Sequence, residues 1–227
     1  MELQINFEME LRLKEIAEIS SGVTFRSRIE ASHNGGIRVI QMKDLGDDNF
    51  VHIKGCIQIK HSVVKPEQIV KIGDLIFRSR GQTNTVALLD EEVTDTILAA
   101  PLLRLRPNKF KVLPEFLLWW INQPSSQNYL ISRSEGSALK MVGKSSLENM
   151  KVSLPPMEEQ IKIAKFFYLS QREQKLLEEL KYHRAILSQG ILMLMASESR
   201  KTASNKQPGS DETKSLRGQS YHNKKDH

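Results

Sequence analysis

The chain has 227 residues, of which 39% are hydrophobic and 26% are charged. That balance is typical of a globular protein with one main domain and an appendage, and no apolar run approaches the roughly 20 residues that a membrane helix needs. A single cysteine, Cys56, excludes an internal disulfide and a cysteine-based zinc site. Because no basic start leads into an apolar stretch, no secretory signal is expected, and the expected compartment is the cytoplasm.

The net charge is +6 and the pI is about 9.3, which favours an anionic partner. Residues 197–227 hold seven Lys/Arg and four Asp/Glu, so they carry +3 of that charge and leave +3 for the rest of the chain. The body of the protein is therefore only mildly basic. A nucleic-acid partner has to be argued from where the basic residues lie.

The N-terminal half of the sequence predicts one short helix followed by strands. The spacing of apolar residues in LRLKEIAEI (11–19) predicts a helix that ends at Gly22. In the last of the strand-forming segments, Arg104 and Arg106 alternate with leucines, which predicts a solvent-exposed face. Alternating or β-branched runs between Gly, Asn and Asp predict these strands within residues 35–48, 55–64, 71–89 and 96–108.

Two further helices are predicted before the last strand. Pro114 opens PEFLLWWINQ, a short helix whose crowded aromatic side chains are interpreted as core. Ser145 and Glu148 have the spacing of a capping box, which predicts one turn of helix before the strand KVSL at 151–154.

From Met157 to about Ala196 there is one glycine and no proline, which predicts a single helix of about 60 Å. A domain of this size cannot cover an apolar stripe along that whole length, so the helix is expected to pack against another helix. Residues 197–227 contain almost no large apolar side chains and predict a disordered basic tail. The stripe consists of Ile161, Ala164, Tyr168, Leu176, Leu180, Leu187, Ile191 and Leu194.

No catalytic residue and no metal site is predicted. The pair Pro155-Pro156 is flanked by Leu154 and Met157, where the signature of an amino-methyltransferase needs Asn or Asp and an aromatic residue. No glycine-rich turn has the spacing of a phosphate or S-adenosylmethionine site. No serine or cysteine lies in a nucleophile elbow.

Five segments occur in a distinctive order along the chain. They are LKEIAEISSG (13–22), IGDLIFRSRG (72–81), PEFLLWWIN (114–122), GSALKMVGKSSLENMKVSLPPMEEQIKIAKFF (136–167) and SQGILMLMA (188–196). Together they resemble the specificity (S) subunit of type I restriction-modification systems, and the PP-x-EEQ-x-x-IA junction is the most specific part. The usual subunit has two units of recognition domain and helix, whereas this sequence has one.

The resemblance implies an α/β fold: a β-rich target recognition domain with short helices (1–156), then one long coiled-coil-forming helix (157–196) and the tail (197–227). It implies recognition of double-stranded DNA, with methylation and cleavage on partner methyltransferase and restriction subunits. No cofactor is expected on this chain, because S-adenosylmethionine would bind the methyltransferase, and no membrane is involved. Two half-size copies paired as a homodimer through the long helix would read an inverted repeat.

Basic and amide side chains near loops are the candidates for DNA contacts, since phosphates bind Lys and Arg, and base edges are read by Arg, Lys, Asn and Gln. They cluster in FRSRGQTNT (77–85), in TFRSR (24–28) and around SEGSALKMVGKSS (134–146). Each segment also has an explanation that does not involve DNA. Residues 77–85 could be a charged strand face, residues 24–28 could carry ordinary solvated arginines, and residues 134–146 could be a structural loop. The predicted contacts are Arg26, Arg28, Arg78, Arg80, Gln82, Asn84, Arg133, Lys140 and Lys144.

Two functional hypotheses of different classes follow from the sequence. The first is a DNA-recognition subunit of a multisubunit methyltransferase or restriction complex. The second is an interaction protein that pairs with or modulates a full-length S subunit without reading DNA. The first predicts a methylated motif that depends on this chain, and the second predicts none.

Overall fold

A computed structural model describes residues 9–26, 29–32, 36–60, 64–81, 84–136 and 140–204, with side chains described as far as residue 198. The chain forms two compact units, Met1–Glu173 and Gln174–His227. Within the described residues, unit 1 carries every strand, and unit 2 consists of the C-terminal part of one long helix.

Unit 1 is built from short strands and short helices. The helices are α1 (Leu13–Ile16), α2 (Pro114–Asn122), α3 (Pro124–Ser132), α4 (Lys144–Glu148) and the first part of α5 (Met157–Ser204). The strands are β1 (Met9–Arg12), β2 (Ala17–Ser21), β3 (Ile37–Ile40), β4 (Ile57–Ile59), β5 (Leu75–Arg78), β6 (Val86–Leu88), β7 (Thr96–Leu98), β8 (Leu102–Pro107), β9 (Ser134–Glu135), β10 (Met141–Val142) and β11 (Lys151–Leu154).

The largest sheet has four antiparallel strands in the order β2-β8-β5-β6. A three-stranded sheet has the order β4-β3-β7, with β3 antiparallel to β4 and parallel to β7. β1 pairs with β11 so that Arg12 lies opposite Lys151, and β9 pairs with β10 as a hairpin. The strand that precedes α5 is therefore held beside the first described strand of the chain.

The four-stranded sheet is buried on both faces. Along β5, Leu75 and Phe77 enter one hydrophobic cluster with Phe116 of α2, while Ile76 enters a second cluster with Leu102 of β8. Successive side chains of a strand point to opposite faces, so each face of the sheet contributes to its own core. This explains why the sequence of β5 is a continuous apolar run.

The predicted helix over residues 11–19 is wrong in extent. α1 ends at Ile16, and residues 17–21 form β2, which pairs with β8 along its whole length. Burial alternates there, with Ala17 and Ile19 inside and Glu18 outside, as a strand requires. Gly22 is not a helix stop: a Cβ atom on it would lie 2.7 Å from the backbone carbon of Ala99, so the close approach of two chain segments requires glycine.

The segment 96–108 contains two strands rather than one, because β7 pairs with β3 whereas β8 joins the four-stranded sheet. The predicted exposed face is also wrong. Arg104 is only 2% exposed, and its guanidinium donates to the Glu18 carboxylate (2.6 Å) and to the Glu67 carbonyl (2.6 Å). Arg106 donates to both carboxylate oxygens of the buried Asp74 (2.8 and 2.7 Å).

The short helices near the end of unit 1 agree with the prediction in position and differ in capping. α2 begins at Pro114 and buries Phe116, and β11 coincides with the predicted strand KVSL. α4 begins after Gly143 and has no side-chain cap, so the predicted capping box of Ser145 and Glu148 is wrong. The Glu148 carboxylate instead lies 3.5 Å from the ammonium nitrogen of Lys144, one turn earlier.

The start of α5 belongs to unit 1. Gln160 is buried at its first turn, where its amide accepts from the Leu113 N–H (3.0 Å) and donates to the carbonyls of Pro155 (3.0 Å) and Lys111 (3.3 Å). Phe167 packs against the main core cluster of unit 1. The helix starts at Met157 as predicted, and its first turns are fixed to the domain by the glutamine of the EEQ junction.

Unit 2 is a helix that continues to Ser204, beyond the predicted end near Ala196. Its apolar side chains are exposed, and the described part of unit 2 contributes none to the buried core. In the part of the chain that the structure describes, no helix is long and apolar enough to cross a membrane.

Cys56 gives a direct test of the second core cluster, against which it packs. Burial, with the nearby Asp44 carboxylate, raises the pKa of the Cys56 thiol to about 12. We expect alkylation by iodoacetamide at pH 8 to be roughly 1000-fold slower in the folded chain than in the unfolded chain, because only the thiolate reacts. Since the folded pKa is the higher one, stability should fall as the pH rises above about 9. Equal alkylation rates with and without guanidinium would contradict this placement.

Candidate nucleic-acid interface

Two segments that are distant in sequence form one surface of unit 1. The loop between β5 and β6 lies against β10: the Val142 N–H donates to the Ser79 carbonyl (2.8 Å) and the Gly81 N–H to the Lys140 carbonyl (3.4 Å). Arg80 forms an antiparallel bridge with Met141. The β5–β6 loop and the β9–β10 hairpin are therefore held together by backbone hydrogen bonds.

This arrangement brings four predicted DNA contacts to one region, which we name the hairpin surface: Arg80, Arg133, Lys140 and Lys144. All four side chains are exposed. The Arg133 guanidinium lies 5.7 Å from the centre of the Tyr129 ring, and Lys144 pairs with Glu148. In the described part of the chain, no carboxylate lies within ion-pair distance of Arg80 or Lys140. Their charges are thus available to an anionic ligand.

Arg78 and Asn84 have roles inside the domain. The Arg78 guanidinium donates to the Leu45 carbonyl. Asn84 is 3% exposed, and its amide donates to the Arg78 carbonyl (3.0 Å), which closes the base of the β5–β6 loop. Both side chains therefore help to shape the loop that carries Arg80.

The other candidates are not joined to the hairpin surface by the described contacts. Arg26 is exposed in the segment after β2. Arg28 and Gln82 lie outside the described residues. Among the described residues, no group of three His, Cys, Asp or Glu side chains is placed to hold a metal ion.

Sequence reasoning missed Gln127 of α3. Its amide donates to the Asn84 carbonyl (3.1 Å) and to the Ile121 carbonyl (2.8 Å), which ties the β5–β6 loop to two helices. A polar residue on a short surface helix carries no sequence signal for such a contact, because the contact depends on where a loop 43 residues away returns.

The predicted stripe on α5 divides between the two units. Ala164 is 6% exposed in the core of unit 1, and Tyr168 stacks on Phe50 with ring centres 5.9 Å apart. Burial raises the pKa of Tyr168, and Glu115 adds to the rise. These two residues therefore face unit 1 and are not free for another helix. Ile161, also in unit 1, is exposed, as are Leu176, Leu180, Leu187, Ile191 and Leu194 in unit 2.

Asn84 should be important for stability. We expect Asn84→Ala to lower the free energy of unfolding by about 1–3 kcal/mol, because the buried Asn84 amide is the donor to the half-buried Arg78 carbonyl. Urea unfolding followed by tryptophan fluorescence measures the change. The matched control is Asn128→Ala on the exposed side of α3, which should change stability by less than about 0.5 kcal/mol. Equal losses of stability in the two variants would show that the base of the β5–β6 loop is not fixed by Asn84.

Comparison with known proteins identifies the family. The family described as "Type I restriction modification DNA specificity domain" matches residues 6–182. This chain belongs to that family. The match covers the described strands of unit 1 and extends into the helix of unit 2.

Individual specificity subunits are similar to this chain over only part of their own length. The MjaIX specificity subunit of Methanocaldococcus jannaschii is 28% identical over 156 residues, which are 67% of this chain and 35% of that protein. The EcoBI specificity subunit of Escherichia coli is 26% identical over 137 residues, covering 57% of this chain and 27% of that protein. This chain thus spans about a third or less of these curated relatives.

A solved structure shows the same fold. The HsdS subunit from Thermoanaerobacter tengcongensis superposes with a TM-score of 0.53 at 19% identity, over 75% of this chain and 39% of that one. The predicted α/β class, with a β-rich unit followed by one long helix, is confirmed by the structure and by this match.

Proposed function

We propose that this chain is a DNA sequence-recognition subunit that directs a type I methyltransferase, and in a complete system a restriction subunit, to its target site. The observation that carries the proposal is the joining of the β5–β6 loop to the β9–β10 hairpin, which gathers exposed cations from two segments. Family membership supports DNA recognition, and the exposed cations of the hairpin surface support locating the DNA contacts there.

The residues of the hairpin surface divide by chemistry. Arg80 is exposed in a loop whose base is fixed by Asn84, so its guanidinium can present paired donors to a base edge in the major groove. Arg133 and Lys140 flank the hairpin and suit phosphate oxygens, which position the protein on the duplex without reading sequence. Lys144 is a weaker candidate for a phosphate contact, because Glu148 offsets part of its charge.

Pairing of two copies completes the proposed site. One recognition unit reads one half of a target, and two copies related by a twofold axis would read an inverted repeat. The exposed apolar side chains of unit 2, Leu176, Leu180, Leu187, Ile191 and Leu194, support a homodimer through this helix. Methylation and cleavage then belong to partner subunits, with S-adenosylmethionine on the methyltransferase and no cofactor on this chain.

The methylated motif in cells that carry this chain with a cognate methyltransferase tests the function. We expect a bipartite palindromic motif that disappears when the chain is deleted. Absence of a motif that depends on the chain would overturn the recognition function and favour a protein that modulates a full-length specificity subunit.

Arg80→Ala and Lys140→Ala should change different properties of DNA binding. Arg80→Ala should relax the preference at one motif position by about 1–3 kcal/mol, because a base contact is lost. Lys140→Ala should weaken binding to all sequences alike and reduce the salt dependence, because a phosphate contact is lost. Binding to a panel of single-base variants, each measured at two salt concentrations, separates the two effects. The same pattern from both variants would refute this division of roles.

A further inference from the structure

A cleft of about 740 Å³ lies on unit 1 and shares Arg133 with the hairpin surface. One wall is the β1–β11 pair and the other is α3, with α4 and the residues after it closing the end. The Tyr129 hydroxyl donates to the Ser146 carbonyl (3.2 Å), which ties the α3 wall to α4. The Leu13 N–H, directly after β1, donates to the Met150 carbonyl (2.8 Å) between α4 and β11, so the cleft is built by the fold.

Two arginines line the cleft from opposite walls. Arg12 comes from β1 and Arg133 from the end of α3. Lys151, the register partner of Arg12, is already paired with the Glu10 carboxylate at 2.5 Å. Within the described residues, no carboxylate forms an ion pair with the guanidinium of Arg12 or Arg133. The Arg12 backbone N–H, and not its guanidinium, donates to the Glu15 carboxylate (2.6 Å).

The Glu10 carboxylate and Lys151, which pair with each other, also line the cleft, and the rest of the lining is rich in neutral hydrogen-bonding groups. Ser125 from α3, Ser145 from α4 and Ser153 from β11 all line the cleft. The Asn149 amide donates to the Ser145 carbonyl (2.9 Å), which holds the end of α4. Guanidinium groups together with hydroxyl groups are the usual protein partners of phosphate oxygens.

We infer that this cleft binds the DNA backbone, with Arg12 and Arg133 each contacting one phosphate. The inference rests on the proposed function. DNA is favoured over an acidic protein segment because Arg133 belongs both to the cleft and to the hairpin surface, so one strand can continue from one to the other. Arg12 becomes a DNA contact that no sequence motif indicated, 121 positions away from Arg133 in the chain.

The test measures how binding of a mixed-sequence DNA duplex to the full chain depends on salt. Arg12→Ala, Arg133→Ala and the double variant are compared between about 50 and 200 mM salt by fluorescence anisotropy. Each lost phosphate contact should make the slope of log K against log salt shallower by about 0.9, so the double variant should lose about 1.8. Arg12→Lys keeps the charge, and therefore the slope, while losing the paired donors of the guanidinium.

Lys54→Ala is the matched control, because Lys54 is exposed and does not line the cleft. Its slope should equal that of the unaltered chain, and thermal melting should show that every variant is folded. The double variant could bind DNA as the unaltered chain does, while the unaltered chain still directs its motif. That result would overturn the inference that the cleft binds phosphate and would leave the proposed function standing. A slope change as large in Lys54→Ala would also overturn it. No binding of DNA by the unaltered chain would overturn both proposals.

Discussion

A chain carrying Leu180→Glu and Leu187→Glu is expected to be monomeric at concentrations where the unaltered chain pairs. Both leucines are exposed on unit 2 and lie two turns apart on the same side of the helix. Burying one leucine side chain contributes about 1.5–3 kcal/mol, and a symmetric pair loses four of them. The loss is at least about 6 kcal/mol, which raises the Kd roughly 10⁴-fold. Size-exclusion chromatography with light scattering measures the change.

The helix offers its own control for this experiment. Leu192 is 64% exposed, against 65% for Leu187, and lies about 120° around the helix from Leu180. Leu192→Glu should therefore leave pairing nearly unchanged, although it places the same charge on the same helix. Pairing that survives the double substitution would refute the proposed helix face. The thermal melting of unit 1 should not change in either variant, since none of the three leucines contributes to its core.

The long helix could be predicted from the sequence because its signal is local. A stretch without proline and with apolar residues three or four apart fixes both the helix and its face. The division of that face could not be predicted. Ala164 and Tyr168 continue the stripe in sequence, but the core of unit 1 covers them, since Phe50 and the main cluster lie where the helix starts.

The DNA-contact candidates could be predicted only as segments. The loop after β5 and the β9–β10 hairpin both carried basic residues, and each was identified from its own composition. Their contact depends on the hydrogen bond from Val142 to Ser79, which joins positions with no pattern in common. For the same reason, Asn84 resembled an exposed reader of bases, although its burial follows from the packing of α3 against the loop.

Removing the Arg104 side chain should strongly destabilise unit 1. Its alternation with Leu103 and Leu105 is the pattern of a half-exposed strand, yet the 3₁₀ turn Pro66–Gln68 contributes a carbonyl that binds its guanidinium. Arg104→Ala should lower the free energy of unfolding by about 3–5 kcal/mol, because it leaves both a cavity and an unpaired carbonyl at Glu67. Urea unfolding measures this loss.

Two further variants separate volume from charge at this site. Arg104→Met fills most of the space and should cost only about 1–2 kcal/mol, mainly for the carbonyl of Glu67 that loses its donor. The carbonyl of Ile69, which also accepts from Arg104 (3.4 Å), keeps its bond from Arg106 (3.0 Å). Glu18→Gln should cost less than about 1 kcal/mol, because Glu18 is largely exposed and an amide oxygen can still accept from Arg104. If Glu18→Gln is as damaging as Arg104→Ala, the ion pair is the dominant contribution. If Arg104→Ala costs less than about 1 kcal/mol, then the burial of Arg104 between β8 and this turn is not a stabilising feature of unit 1.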